Sequence, residues 1–203
     1  SGGTAAETAH TATTGASNTA GVTTGSVVES GCPDLNQNEV PDCEETLIGN
    51  ATFEVNIEPW EVEALAEIRW QSAASDTASG ALVITRAGPT PGEQPSMAGS
   101  FQCIAVQAQS SYRFLAQAFI PEGQPGVTAA ISALFYASGD CTGTHLGVVN
   151  SASQSTAGSW RVLHDSGRAP AHAQSLKLRL AVVQTAQAAT AEVLFDNVLV
   201  VRE

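Results

Sequence analysis

Trp60-Glu-Val-Glu-Ala-Leu-Ala-Glu-Ile-Arg-Trp-Gln71 reads as a strand. Trp60, Val62, Ala64, Ala66, Ile68 and Trp70 alternate with Glu61, Glu63, Leu65, Glu67, Arg69 and Gln71, and only Leu65 breaks the period of two. Successive side chains of an extended chain point to opposite faces, so the pattern predicts one half-buried strand. A helix with Pro59 in its first turn and acids behind it is the competing reading. The long alternation outweighs it.

The same reading extends along the chain. Upstream, Asn50–Ile57 (NATFEVNI) is a further strand, and its Asn50-Ala-Thr52 is formally a glycosylation sequon. Downstream, strands are expected at Ala81–Arg86, Phe101–Gln107, Tyr112–Ile120, Thr128–Tyr136, Trp160–His164, Leu176–Val183 and Ala191–Val201. Gly/Pro/Ser-rich loops separate them, among them Ala87–Ser100 and Pro121–Gly126. About nine strands at such spacing, with no convincing long helix, describe an all-β sandwich over residues 47–203.

The 203 residues carry a net charge of −12, which argues against nucleic acid as a partner. The imbalance is local. Residues 1–68 hold twelve of the twenty acids and none of the eight basic residues, a distribution that repels itself unless cations neutralise it. Cys32, Cys43, Cys103 and Cys141 contain no Cys-x-x-Cys pair, so zinc is not indicated. Three pairings are open. Nearest-neighbour pairing, Cys32 with Cys43 and Cys103 with Cys141, is the simplest, and four reduced buried thiols is the alternative. Disulfides imply an oxidising, extracellular or cell-surface setting. No apolar run is long enough to span a bilayer. The chain starts at Ser1 with no signal peptide and reads as processed or trimmed.

Cys32–Glu45, CPDLNQNEVPDCEE, places Asp34, Asn36, Asn38, Asp42 and Glu45 at the first, third, fifth, ninth and twelfth positions of a calcium-loop template. The Val40 carbonyl fills the seventh, and Glu45 closes the shell with both carboxylate oxygens. The segment resembles the single loops of thrombospondin type 3 repeats and of dockerins. Glu39 stands at the sixth position, where positive φ normally calls for Gly, at a cost of about 1 kcal/mol. Ahead of this 32–46 loop, residues 1–31 are almost entirely Thr, Ala, Gly and Ser, a composition that cannot offset its ordering entropy. They read as a tether similar to the linkers that follow the lipidated Cys of bacterial lipoproteins, although that Cys is absent. Alternatively, His10–Thr14 or Gly21–Val28 adds as a donor strand to a neighbouring copy, and repetition of that contact builds a filament.

Asn50-Ala-Thr-Phe53-Glu54 followed by Trp60 resembles the N-terminal strand of jelly-roll carbohydrate-binding modules found beside bacterial xylanases and glucanases. Phe195-Asp196-Asn197-Val198 resembles their C-terminal strand. Ser111-Tyr112-Arg-Phe114 and Gly158-Ser-Trp160 fall where those modules have matching strands. The resemblance implies a jelly roll over roughly residues 47–203. It also implies a structural calcium held by Glu54 and Asp196.

No catalytic set stands out: there is no Gly-x-Ser-x-Gly, no His-Glu-x-x-His and no phosphate loop. His164-Asp165 reads as a surface turn, and His10, His145 and His172 as solvated loop or tail residues. Glu58, Glu61, Glu63 and Glu67 could supply a glycosidase acid and base, but Glu61, Glu63 and Glu67 share one strand face, which is more simply a wet face. Tyr112 and Trp160 read as packing residues, which leaves Trp60, Trp70 and Tyr136 as candidates for sugar stacking. The sequence reading is therefore a non-catalytic, calcium-stabilised extracellular subunit that homopolymerises through residues 1–31. A polysaccharide-binding module tethered to a cell or enzyme is the alternative, and a glycan-active enzyme the remote one.

Overall fold

The computed structural model describes residues 39–40, 45–72, 80–88, 96–185 and 190–203. Ten strands run through them. These are β1 (Glu61–Val62), β2 (Ala66–Ser72), β3 (Gly80–Ala87), β4 (Ser96–Ala105) and β5 (Ser111–Phe119). They continue with β6 (Val127–Tyr136), β7 (His145–Asn150), β8 (Trp160–Arg168), β9 (Ser175–Gln184) and β10 (Thr190–Arg202). A first sheet has the order β1-β4-β9-β6-β7 and a second the order β2-β3-β10-β5-β8. Every strand pairing is antiparallel. The chain is a jelly-roll β-sandwich, as its alternation predicts.

Between the sheets lies one large core. Val127, Ala129, Ile131, Ala133 and Phe135 of β6 and Leu176, Leu178, Leu180 and Val182 of β9 face inward from the first sheet. Leu82 and Ile84, Phe114, Ala116 and Ala118, and Val193 and Phe195 face them from the second. Strand β10 changes phase halfway. Its inward residues are Val193 and Phe195, then Val198 and Val200, because a bulge between Asp196 and Leu199 inserts one extra residue. Asn197 makes the bulge at φ 49°, a left-handed conformation that Asn tolerates better than most residues. Its backbone N–H donates to Asp196 Oδ1 at 2.7 Å, and its Nδ2 donates to Gln117 Oε1 at 2.8 Å.

Two expected strands are corrected. Trp60–Gln71 is not one strand but two, and they belong to different sheets: β1 pairs with β4, β2 with β3. Leu65 sits between them at φ 71° with 72% of its surface exposed, so the residue that breaks the alternation marks the crossing. The crossing also separates the glutamates. Glu61 and Glu63 stay with the first sheet, where the Glu63 N–H donates to the Gly99 carbonyl, whereas Glu67 lies on the second. Asn50–Ile57 is not a strand either, since positive φ at Asn50 (50°) and Phe53 (48°) breaks the extended run. Its apolar spacing reflects plugging instead. Ile48, Ala51, Phe53 and Trp60 seal one margin of the core, and Gln102 exchanges two hydrogen bonds with the backbone of Gly49. The Thr46–Leu47 segment is held to Val200 of β10.

His164-Asp165 is not a turn but the middle of β8, which pairs with β5 from Trp160 to Arg168. As an edge strand β8 buries only Leu163, so no alternation announced its second half. Strand β7, with His145 at its start, is also an edge strand and was expected to be loop.

Candidate functional site

The alternation that turns the leucines of β9 inward turns Lys177, Arg179 and Ala181 onto the outer face of the first sheet. Register then fixes their neighbours. One row crosses all five strands: Glu61 opposite Phe101, Phe101 opposite Arg179, Arg179 opposite Ser132, Ser132 opposite Asn150. At a strand spacing near 4.8 Å the row is about 19 Å long. A second row runs Cys103, Lys177, Leu134, Val148. On the other side lie only small residues, Gly99, Ala181 and Ala130.

Arg179 lies across that small-residue row. Its Nη2 is 2.8 Å from the Met97 sulfur and its Nη1 is 3.5 Å from Glu63 Oε1. Its Nε is buried with no hydrogen-bond partner. A thioether is a weak acceptor and 3.5 Å is a long ionic contact, so the guanidinium is under-supplied with acceptors. Lys177 places its ammonium 4.1 Å from the centroid of the half-buried Phe101 ring and 5.9 Å from that of Tyr136. Glu61 and Asn150 are exposed at the two ends of the long row. The face thus offers an aromatic ring, two cations and two carboxylates on a broad, rigid sheet. That is chemistry for holding a hydroxyl-rich ligand by stacking and by hydrogen bonds.

The stacking candidates from sequence fare differently. Trp60 is a core residue at 6% exposure, its ring 5.5 Å from Phe53, and it has no free face. Trp70 is 40% exposed but on β2 of the other sheet, its Nε1 donating to the Phe53 carbonyl at 2.6 Å. Tyr136 does belong to the face, yet it is 7% exposed and sits edge-on to His145. Trp160, assigned to packing, is half-buried against Phe119 on the outer side of the second sheet. Phe101, Lys177, Arg179 and Asn150 were missed. For Lys177 and Arg179 a signal was present, as polar residues alternating with the leucines of SLKLRL, but a wet face gives the same pattern; Phe101 and Asn150 had none.

Of the expected metal ligands, Asp34, Asn36, Asn38 and Asp42 lie outside the described residues, as do Cys32 and Cys43 and the extension 1–31. Val40 and Glu45 are described, the first exposed and the second half-buried. Glu39, at the sixth loop position, takes φ 70°. Glu54 is exposed, whereas Asp196 is buried at the β10 bulge. Among the described residues no group of three or more His, Cys, Asp or Glu is placed to hold a metal. Cys103 and Cys141 form a disulfide, with Cα atoms 5.9 Å apart.

No protein-family model matches the chain, and no curated protein matches it in sequence. Solved structures do match in fold. The C-terminal family 22 carbohydrate-binding module of Clostridium thermocellum Xyn10B aligns with a TM-score of 0.56 at 18% identity, over 80% of this chain and 97% of that one. The CBM22-2 xylan-binding domain of Paenibacillus barcinonensis Xyn10C gives 0.55 at 17% identity, over 75% and 98%. The CBM22-1–GH10 structure of Clostridium thermocellum endo-1,4-beta-D-xylanase 10B, complexed with xylohexaose, gives 0.58 at 17% identity over 78% of this chain. This chain spans 28% of that protein's length and 21–26% of a bacteriophage tailspike and an arabinofuranosidase that also match. At these identities the likeness is one of fold: a carbohydrate-binding-module sandwich.

Proposed function

We propose that the chain is a non-catalytic polysaccharide-binding module and that the outer face of the first sheet is its binding surface. The observation that carries this reading is the row of Glu61, Phe101, Arg179 and Asn150 across five strands, with an arginine short of acceptors at its centre. A sugar polymer supplies hydroxyl acceptors along such a row and a ring face for Phe101. The fold match, over 75% of this chain, to a module described as xylan-binding supports it. The filament reading rests on residues 1–31 alone, and no observation among the described residues favours it over glycan binding. The Cys103–Cys141 disulfide supports an extracellular site of action. Among the described residues no helix is long and apolar enough to cross a membrane.

Affinity electrophoresis through gels containing soluble polysaccharides tests the reading. Retardation by at least one polymer is expected, and Phe101→Ala and Arg179→Ala should each weaken it roughly ten- to hundredfold, the range of one buried stacking ring and of one charge-assisted contact respectively. Val162→Ala, on the exposed outer side of the second sheet, should leave it unchanged. Mobility that no polysaccharide alters would reject the proposal.

We also propose that the Cys32–Glu45 loop holds calcium. The support is local: Glu39 adopts the positive φ that the sixth position of such a loop requires. An ion bound only by the folded chain stabilises it by about 2.7 kcal/mol at a hundredfold excess over its Kd. In a chain of this size that is on the order of 5–10 °C of melting temperature. Chelation should remove it and added calcium restore it, whereas identical melting curves with and without chelator would reject the site.

A further inference from the structure

We infer that the ligand of this face is an anionic polysaccharide, one whose sugars carry carboxylates or sulfate esters; the inference rests on the glycan-binding reading above. The argument begins with scarcity. Twenty acids face eight basic residues in this chain, and Lys177 is its only lysine. In so acidic a molecule a cation finds a carboxylate easily. Elsewhere four of the five exposed arginines have close oxygen acceptors: Arg69 with Glu192 at 2.9 Å, Arg113 with Glu203 at 2.7 Å, Arg168 with the Gln109 carbonyl at 2.8 Å and Arg202 with Gln107 at 2.7 Å, and Arg161, on edge strand β8 of the other sheet, is the exception.

The two cations at the centre of the first sheet are different. Among the described residues Lys177 has no salt bridge, and its ammonium is positioned by the rings of Phe101 and Tyr136. Aromatic faces attract an ammonium but accept none of its three N–H bonds and leave its charge uncancelled. Arg179 has one long carboxylate contact and a weak thioether acceptor on its Nη atoms, and its unpartnered Nε is buried. The two residues are second neighbours on one central strand and point to the same side, their Cβ atoms about 6.6 Å apart. Two cations on one face repel, and neither is fully neutralised by a carboxylate: Lys177 has no salt bridge among the described residues, and Arg179 has one at 3.5 Å. A neutral ligand leaves that repulsion in place. A carboxylate or sulfate seated between ammonium and guanidinium relieves it and accepts charge-assisted hydrogen bonds from both. Glu61 and Glu63 lie on the β1 edge, so they fix where the anion goes: toward β9 and β6, with hydroxyl groups over β1.

The test compares four polymers: polygalacturonate, the same polymer after carboxyl reduction, dextran sulfate and dextran. Wild-type protein should bind an anionic polymer at least tenfold more tightly than its uncharged counterpart, and added salt should erode the difference. The carboxylated and sulfated pairs separately identify which anion is read. Lys177→Met should lose that preference at unchanged melting temperature, while Lys177→Arg should keep it. Equal binding of charged and neutral polymers, or retention of the preference by Lys177→Met, overturns the inference and leaves glycan binding standing. Failure to bind any of these or of a neutral panel overturns both. The net charge of −12 rules out bulk ion exchange as the source of binding to a polyanion.

Discussion

Gly99→Ala should cost at least about 3 kcal/mol of stability and lower the melting temperature by on the order of 10 °C. A Cβ at this position would stand 1.8 Å from the Leu180 carbonyl oxygen, 2.9 Å from its carbon and 3.0 Å from the Ala181 Cα. All three are backbone atoms of β9, which has β4 on one side and β6 on the other and cannot move aside. The clash therefore has to be relieved by shifting β4 itself. That shift acts on the outer face of the first sheet as well, because the Gly99 carbonyl accepts the Glu63 N–H at 2.9 Å and Met97 touches the Arg179 guanidinium. Gly139→Ala is the control. Its added methyl meets nothing within 4 Å and its φ is not positive, so the change should stay within about 0.5 kcal/mol. Equal melting temperatures for the two variants would mean that β4 and β9 are not packed as closely as this.

The sandwich was legible in the sequence because its inner strands are short apolar runs between Gly/Pro/Ser-rich loops, with a clear period of two in stretches such as SLKLRL. What misled was alternation produced for other reasons. In Asn50–Ile57 the apolar residues are plugs at the margin of the core, and the backbone between them turns. In Trp60–Gln71 the period survives a change of sheet, and only the break at Leu65 records it. Edge strands were the other blind spot, since β7 and the second half of β8 bury little and so show no pattern. The proposed binding face was not legible for a related reason. Phe101, Arg179, Ser132 and Asn150 come from four strands, and their assembly into one row depends on register, which a single sequence leaves open. The disulfide was expected from proximity in sequence, and the fold gives the reason for it. Cys103 is opposite Lys177 on β4, and Cys141 follows β6, so the bond spans the end of β9 and ties its two flanking strands together.

Replacing Cys103 and Cys141 together by alanine should destabilise the chain by about 4 kcal/mol, the chain-entropy value for the 38-residue separation the bond closes. In melting temperature that is roughly 8–16 °C. The native turn has its own supports. Cys141 N–H donates to Ser175 Oγ at 3.1 Å, Ser175 Oγ–H donates to the Ser138 carbonyl at 2.6 Å, and Thr142 donates to Asp140 Oδ1 through its hydroxyl at 2.7 Å and its N–H at 3.2 Å. The Thr142 hydroxyl, followed by Ser138, holds the Asp140 carboxyl below the usual carboxylate range. Because these bonds do not involve sulfur, the folded turn should persist in the variant, and the loss should come from a looser unfolded chain. Two measurements separate that from damage to the fold. In urea the variant should show a larger m-value, since an uncrosslinked chain exposes more surface on unfolding. Binding to the anionic polymer at 25 °C should stay within a factor of about 2, since Lys177 is positioned by Phe101 and Tyr136 and not by the bond. A melting shift under about 2 °C would show that the bond does not restrain the unfolded chain. A tenfold loss of binding with the fold intact would show that the β9 end of the face depends on the bond directly.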